Sequence, residues 1–87
     1  MNPRPIAVKT LDDYKILITF ANNELRVFDM ASRLNKPLYQ KLRNKSFFSL
    51  AKADGMTVYW DDDVDICPDV LYECSVDYVE EKEKEYV

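Results

Sequence analysis

Hydrophobic and polar residues alternate along YKILITF (14–20), as they do in a strand with one buried face. One side of this strand carries Tyr14, Ile16, Ile18 and Phe20, and the other carries Lys15, Leu17 and Thr19. The preceding stretch IAVKTL (6–11) predicts a shorter strand, after an N-terminus that Pro3 and Pro5 keep extended.

A third strand is predicted at ELRVFDM (24–30), where Leu25 and Val27 fall on one face and Arg26 and Phe28 on the other. Asn22 and Asn23 lie between the second and third strands. Asparagine tolerates the left-handed backbone that tight turns require, so the two strands are predicted to form a hairpin.

The next stretch, ASRLNKPLYQKL (31–42), spaces Leu34, Leu38, Tyr39 and Leu42 as on one face of a helix. Pro37 interrupts this pattern and predicts two short helical turns, the first capped by Ser32. A second hairpin is predicted from FFSLAKA (47–53), the turn Asp54-Gly55 and MTVYW (56–60), with Met56, Val58 and Trp60 on one face.

Towards the C-terminus, Pro68 suits the first position of a helix, and Asp69 suits its positive end. Cys67, Leu71, Cys74 and Tyr78 recur at helical spacing, which predicts a helix running on into DYVEEKEKEYV (77–87), with a Glu80–Lys84 pair. At that spacing the cysteines lie about 10 Å apart, too far for a disulfide, and we expect two free, packed thiols.

These elements predict one α+β domain over residues 1–87, with a small antiparallel sheet built from two hairpins, a connecting short helix and a C-terminal helix. The chain has no histidine and one glycine, which excludes the common acid–base arrangements and glycine-rich phosphate loops. We therefore expect neither an enzyme nor a cofactor. The start MNPRPIAV lacks the order of a signal peptide, and we expect a cytoplasmic protein.

Five aspartates lie in WDDDVDICPD (60–69), at a spacing that suggests a calcium loop, a catalytic carboxylate pair or a helix start. The calcium loop fails because Ile66 replaces the glycine of its sharp turn and Tyr72 replaces its closing glutamate. Nothing places a pocket beside a carboxylate pair. We expect no metal site, an exposed turn at Asp61–Asp63, and Asp65 and Asp69 at a helix start.

Charge is divided between the two halves of the chain. Residues 1–52 hold ten Lys or Arg against four Asp or Glu, whereas residues 53–87 hold two against twelve. The acidic C-terminal segment 76–87 is a candidate surface for a basic protein partner, through Asp77, Tyr78, Glu80, Glu81, Glu83, Glu85 and Tyr86. The alternative is a homodimer in which this segment lies on the basic stretch of a second copy.

That basic stretch contains Arg33, Lys36, Lys41, Arg43 and Lys45. It suits phosphates or an acidic protein surface, or it is a solvated helix face whose lysine stems cover apolar neighbours. A direct nucleic-acid ligand is not expected, since the net charge is −4 and no helix-turn-helix or aromatic RNA platform is visible. Phe47, Phe48, Tyr59 and Trp60 are predicted to be core residues rather than a stacking surface.

Together the residues resemble a family of small bacterial domains, the domain of unknown function 2442. The similarity covers about residues 5–72, in the order P-I-A-V, Y-x-I-x-I-x-F-A-N-N-E-L-R-x-F-D, F-F and W-x-x-D-V-D-I-x-P-D-x-L-Y. Its most specific residues are Trp60, Asp65, Ile66, Pro68, Leu71 and Tyr72. Several members have proline and glycine in the turn after the tryptophan, where this chain has Asp61 and Asp63.

The resemblance implies a binding protein and no catalytic residue. Family members are often encoded beside a second small protein, and some are described as the antitoxin half of a toxin–antitoxin pair. We therefore expect a protein-binding module, the antitoxin-like partner of a small co-encoded protein. The alternative is a DNA-binding or small-ligand-binding regulatory protein.

Overall fold

A computed structural model describes residues 2–61 and 63–78, which form two antiparallel sheets. The first sheet has the order β1-β2-β3-β7, with β1 at Pro5–Thr10, β2 at Lys15–Phe20, β3 at Leu25–Asp29 and β7 at Val76–Asp77. The second sheet has the order β4-β5-β6, with β4 at Lys52–Ala53, β5 at Val58–Asp61 and β6 at Val64–Ile66.

Short helices connect the strands. Three are 3₁₀ helices, at Asp12–Tyr14, Ala31–Arg33 and Pro37–Arg43, and two are α-helices, α1 at Lys45–Phe48 and α2 at Pro68–Glu73. The two helical turns predicted around Pro37 are confirmed, and so is the α+β class. Ser32 makes no capping bond; instead Asp29 Oδ1 accepts a hydrogen bond of 2.8 Å from Ala31 N.

The core lies between the inner faces of the two sheets. Ile16, Ile18 and Phe20 are fully buried, which confirms the alternation predicted for β2. Phe28 from β3, Val58 and Trp60 from β5, and Leu71 from α2 complete much of the same cluster. The indole N–H of Trp60 donates to the Phe48 carbonyl at 2.8 Å, so this large ring is buried without an unpaired polar group.

The first predicted hairpin is confirmed. Phe20 N donates to Glu24 O at 2.9 Å, and Asn23 adopts the left-handed backbone with φ 74°. Asn22 Oδ1 accepts from Glu24 N at 3.1 Å, which fixes the turn.

The second predicted hairpin is confirmed only around its turn. β4 and β5 pair across Asp54 and Gly55, with Gly55 at φ 86° and Asp54 Oδ1 accepting from Met56 N and Thr57 N. Phe47 and Phe48 were expected in its first strand but lie in α1, because Asn44 caps that helix by accepting from Phe47 N at 3.1 Å. Met56 precedes β5 and is exposed.

The C-terminal helix prediction is wrong between Cys74 and Tyr78, and its remaining part lies outside the described residues. Ser75 Oγ donates to Tyr72 O at 2.9 Å, and the chain then forms β7 beside β3. A local side-chain bond to a helical carbonyl competes with helix continuation, which explains the early end. Cys67 and Cys74 are free as expected, but both are exposed, so the prediction of packed thiols is wrong.

Candidate interaction faces

The outer side of the first sheet carries mostly hydrophobic residues. This apolar face consists of Ile6, Ala7, Leu17, Thr19, Leu25, Val27 and Val76, which lie opposite the core side of their strands. Cross-strand pairing sets Leu17 beside Val27 and Val27 beside Val76 in one row. Val76 is 64% exposed and Leu25 37% exposed, so the face is open to solvent.

A bulge in β1 adds to this face. The register between β1 and β2 shifts between Pro5 and Ala7, and this irregularity leaves Ile6 and Ala7 exposed on adjacent positions. Pro5 is buried beside them, and Ile6 is 50% exposed.

Charged residues stand at one corner of the apolar face. Lys9 lies opposite Leu17, and Lys15 lies opposite Asp29. At the diagonally opposite corner, Tyr78 N donates to Leu25 O at 3.0 Å, and the acidic segment continues from Tyr78. The face is thus apolar in its middle, with Lys9, Lys15 and Asp29 towards one side.

Arg26 holds β7 against the sheet. Its guanidinium donates to Ser75 Oγ, Ser75 O and Asp77 Oδ1, each at 2.7 Å. The same group lies 4.8 Å from the centre of the Tyr72 ring, and its side chain is 17% exposed. Since β7 is short and pairs with β3 only at Arg26 and Val27, followed by the bond from Tyr78 N to Leu25 O, this side chain adds substantially to its attachment.

Tyr72 links α2 to the turn of the first hairpin. Its hydroxyl donates to Glu24 Oε1 at 2.5 Å, and Asn22 Nδ2 donates to the same oxygen at 3.0 Å. The bond from Tyr72 is the main reason that the pKa of Glu24 lies below its usual value, and the same bond raises the pKa of Tyr72. Tyr72, Glu24 and Arg26 together join α2, the first hairpin and β7, so their role is structural.

The outer side of the second sheet is acidic. This acidic face is a depression of about 370 Å³ lined by Asp54, Thr57, Tyr59, Asp61 and Asp65. Tyr59 pairs across the strands with Asp65 and lies half-buried on this outer side. The prediction that Tyr59 belongs to the core is therefore wrong, whereas Trp60 and Phe48 are buried as predicted.

Backbone N–H groups stabilise the ionised form of two of these aspartates. Asp61 Oδ1 accepts from Asp63 N and Val64 N, each at 2.9 Å, and Lys41 Nζ lies 3.2 Å from Asp61 Oδ2. The bond from Asp63 N is the largest cause of the lowered pKa of Asp61, and the Thr57 N–H likewise lowers the pKa of Asp54. Both carboxylates are charged at neutral pH.

The role expected for Asp65 at a helix start is wrong. Asp65 lies in β6, a strand that the sequence pattern did not predict, and α2 begins after Cys67 without a side-chain cap. Asp69 does lie in the first turn of α2, where its carboxylate accepts from Asn2 Nδ2 at 3.2 Å. Of the exposed turn expected at Asp61–Asp63, Asp63 is exposed in a turn, whereas Asp61 ends β5 and is half-buried, and residue 62 lies outside the described residues.

Four of the five residues of the predicted basic stretch contact groups of their own chain. Arg33 lies 5.1 Å from the centre of the Phe28 ring, and Arg43 Nε donates to Leu34 O at 3.2 Å. Lys41 pairs with Asp61, and Lys45 Nζ lies 6.0 Å from the Tyr14 ring centre, while Lys36 is exposed. These contacts fit the interpretation of lysine stems covering apolar neighbours, and nucleic-acid binding by this stretch stays a prediction.

A second depression lies near Lys45. It has a volume of about 480 Å³, and its lining includes Asp12, Asp13, Tyr14, Lys45 and Ser49. Asp13 and Tyr14 both have a left-handed backbone, and Tyr14 is fixed by donation from its hydroxyl to Arg43 O. The lining mixes both signs of charge and selects no ligand class, so a small-ligand regulator also stays a prediction.

Among the predicted partner-binding residues, the structure describes two. Asp77 is paired with Arg26 and keeps 80% of its side chain exposed, and Tyr78 lies at the corner of the apolar face. Glu80, Glu81, Glu83, Glu85 and Tyr86, like the Glu80–Lys84 pair, lie outside the described residues. Within the described residues, no group of three or more Cys, Asp or Glu side chains is arranged to hold a metal ion, and no helix is long and apolar enough to cross a membrane.

Comparison with known proteins identifies the family of this chain. Searches of curated proteins and of solved structures gave no match. The model of the family described as "Protein of unknown function (DUF2442)" matches residues 5–77, from the start of β1 to the end of β7. This match spans both sheets and α2, and the chain therefore belongs to the DUF2442 family.

Proposed function

We propose that the protein is a non-enzymatic protein-binding module, the antitoxin-like partner of a small co-encoded basic protein that binds on the acidic face. The observation that supports this proposal is the arrangement of Asp54, Asp61 and Asp65 around the half-buried ring of Tyr59. An aromatic residue in a shallow depression with a charged rim is a common centre of protein interfaces.

Electrostatics favours a basic partner. Aspartates are ionised at neutral pH, and the lowered pKa values of Asp54 and Asp61 extend this charge to more acidic solution. Within the described residues Lys41–Asp61 and Arg26–Asp77 are the two ion pairs. Among the described residues, Asp54 and Asp65 form no ion pair and are available to a ligand. Complementary charge of this kind speeds association and selects among partners.

The acidic segment after β7 adds to this charge. Residues 79–87 contain four glutamates and two lysines, and they follow directly on Tyr78. Partner binding by this segment is part of the proposal.

The test is a pull-down at low salt from lysate of the source cells, with mass spectrometry, using three tagged baits. These are the natural chain, Asp65→Lys on the acidic face, and Asp12→Lys, an exposed aspartate that lines the other depression. Both substitutions change the net charge equally, so only the position differs. The recovered small protein is then purified and titrated with each bait by calorimetry.

We expect one small basic protein, encoded beside this chain, to bind the natural chain and the Asp12→Lys variant. Asp65→Lys should weaken its binding at least tenfold, and affinity should fall steeply as salt rises. Co-expression should relieve any toxicity of that protein. Equal binding by the two variants, or a complex that is insensitive to salt, would overturn the acidic face as the site.

A further inference from the structure

We propose that Lys41 is an internal competitor on the acidic face: its ammonium group occupies Asp61 in the free protein, and a basic partner displaces it on binding. This inference rests on the proposed function, because it concerns the regulation of the same face. It names the position that a cationic side chain of the partner takes and the contact that opposes it. Three features of the Lys41–Asp61 pair support it: its geometry, the anchoring of Lys41 and the exposure of both side chains.

One oxygen of Asp61 is fixed by the backbone, and the other faces Lys41. The fixed oxygen, Oδ1, accepts from Asp63 N and Val64 N, each at 2.9 Å. The other, Oδ2, lies 3.2 Å from Lys41 Nζ and accepts a hydrogen bond from it. A cationic group of a partner that approaches Asp61 therefore meets an oxygen that already has an ammonium group beside it.

Lys41 is anchored from outside the second sheet. It lies in the 3₁₀ helix Pro37–Arg43, whose Leu42 is fully buried in the core. Lys41 Nζ also lies 5.9 Å from the centre of the Phe47 ring, at the outer limit of a cation–π contact. The ammonium group thus has two contacts that favour the same position, one with Asp61 and one with this ring.

The pair reduces the charge that the acidic face presents. Of the three aspartates that line the depression, only Asp61 is paired with a lysine or arginine within the described residues. The bond from Asp63 N is the largest cause of the lowered pKa of Asp61, and the contact with Lys41 lowers this pKa further. Displacement of Lys41 therefore adds a third unpaired carboxylate to those of Asp54 and Asp65.

The exposure of the pair makes it displaceable. The side chains of Lys41 and Asp61 are 57% and 35% exposed, and exposed ion pairs are weak because water and salt screen them. Lys41 should therefore lower the affinity for a cationic ligand by about two- to fivefold. A ligand with one cation only exchanges one ion pair for another, whereas a ligand with several also reaches Asp54 and Asp65. The contact thus selects for partners with several basic side chains.

The test is an NMR titration of the full chain with the peptide pentalysine at low salt, in which the amide signals of Asp54, Tyr59 and Asp65 are followed. The two variants are Lys41→Met and Lys36→Met, because methionine keeps an aliphatic stem and removes the charge. Lys36 is exposed, directly precedes the same helix and forms no ion pair within the described residues. Both variants change the net charge equally, so only the position differs.

We expect Lys41→Met to bind pentalysine about two- to fivefold more tightly than Lys36→Met. This difference should disappear when both are combined with Asp61→Asn, which removes the charge but keeps an oxygen that can accept from the β5–β6 turn. Equal affinities of Lys41→Met and Lys36→Met overturn the competitor role, and so does a difference that persists with Asp61→Asn.

The peptide separates this inference from the proposed function, because the titration contains no co-encoded protein. If pentalysine shifts the signals of the acidic face but binds the two variants alike, the role of Lys41 fails and the proposed function stands. If the signals shift in neither variant, the acidic face takes no cationic ligand, and both proposals fail. Loss of the co-encoded protein from the pull-down, with the expected peptide affinities, would overturn the proposed function alone.

Discussion

The two sheets share one core but present opposite chemistry to solvent. On their inner sides, Ile18 and Phe28 from the first sheet and Val58 and Ile66 from the second belong to the same buried cluster. On their outer sides, Leu17 and Val27 occupy the positions that Tyr59 and Asp65 occupy in the second sheet. Burial on one side of a strand leaves the other side free, so the outer residues are under no common constraint from folding.

The outer sides of the two sheets therefore suit different kinds of binding partner. A polar outer face is the ordinary solution for a sheet in water, and an apolar one is unusual unless something covers it. The acidic face combines fixed charge with one aromatic ring, and the apolar face combines flat hydrophobic rows with charge at its corners. We therefore propose the acidic face as the site of the basic partner.

The largest effect on stability is expected from Arg26, the side chain that holds β7 against the first sheet. Arg26→Ala removes one hydrogen bond to Asp77 in β7 and two to Ser75 just before it, and Ser75, a buried residue, loses the donors to both its hydroxyl and its carbonyl. We expect the free energy of unfolding to fall by about 2–3 kcal/mol. Urea unfolding followed by the fluorescence of Trp60, which is buried, measures this loss.

Arg33→Ala is the matched control for that change, because Arg33 lies over the Phe28 ring without a hydrogen bond to it. It should cost less than about 1 kcal/mol. Hydrogen exchange at Val76 and Tyr78 should accelerate in Arg26→Ala and be unchanged in the control. Equal losses in the two variants would show that Arg26 does not hold β7.

The first sheet could be predicted from sequence more completely than the second. β2 and β3 are long enough for their alternation to be unambiguous, and Asn22-Asn23 identifies their turn. The second sheet has strands of two to four residues, too short for a clear period. β6 was missed because its aspartate was assigned to a helix start, although Val64 and Ile66 alternate around Asp65.

The candidate faces were less predictable than the fold. The apolar face had a signal in the outward positions Leu17 and Val27, but its fourth strand, β7, depends on contacts between Arg26 and residues about 50 positions away. Helical spacing of Cys67, Leu71, Cys74 and Tyr78 pointed to a longer helix instead. Tertiary contacts outweigh such local periodicity when a strand edge is available for pairing.

The next effect on stability concerns the acidic face, and it separates the contribution of hydrogen bonds from that of charge. Asp61→Ala and Asp65→Ala each remove one negative charge, but only Asp61 accepts hydrogen bonds from the β5–β6 turn. We expect the midpoint of thermal unfolding to fall by several degrees in Asp61→Ala and by less than about 1 °C in Asp65→Ala. Calorimetry measures both, and similar midpoints would contradict the structural role of Asp61.

A smaller change in stability is expected when the pH is lowered. The folded pKa values of Asp54 and Asp61 lie below their usual values, so each contributes stability that is present above the unfolded pKa and lost as pH falls through the folded one. We expect the unfolding midpoint to decrease between about pH 5 and pH 2. The double variant Asp54→Asn, Asp61→Asn should have a flatter profile, and an unchanged slope would contradict this assignment.

The smallest effect on stability should come from Leu25→Lys on the apolar face and Asp65→Lys on the acidic face. Leu25 is exposed in β3, and Asp65 is exposed in β6, so neither Leu25→Lys nor Asp65→Lys should shift the unfolding midpoint by more than about 1–2 °C. Their effects on partner binding should nevertheless differ. Leu25→Lys should leave the affinity for the basic partner unchanged, because its charge lies outside the acidic face, whereas Asp65→Lys should lower that affinity at least tenfold. Calorimetry on the two preparations measures both affinities, and equal affinities at an unchanged midpoint would show that the acidic face is not the binding site.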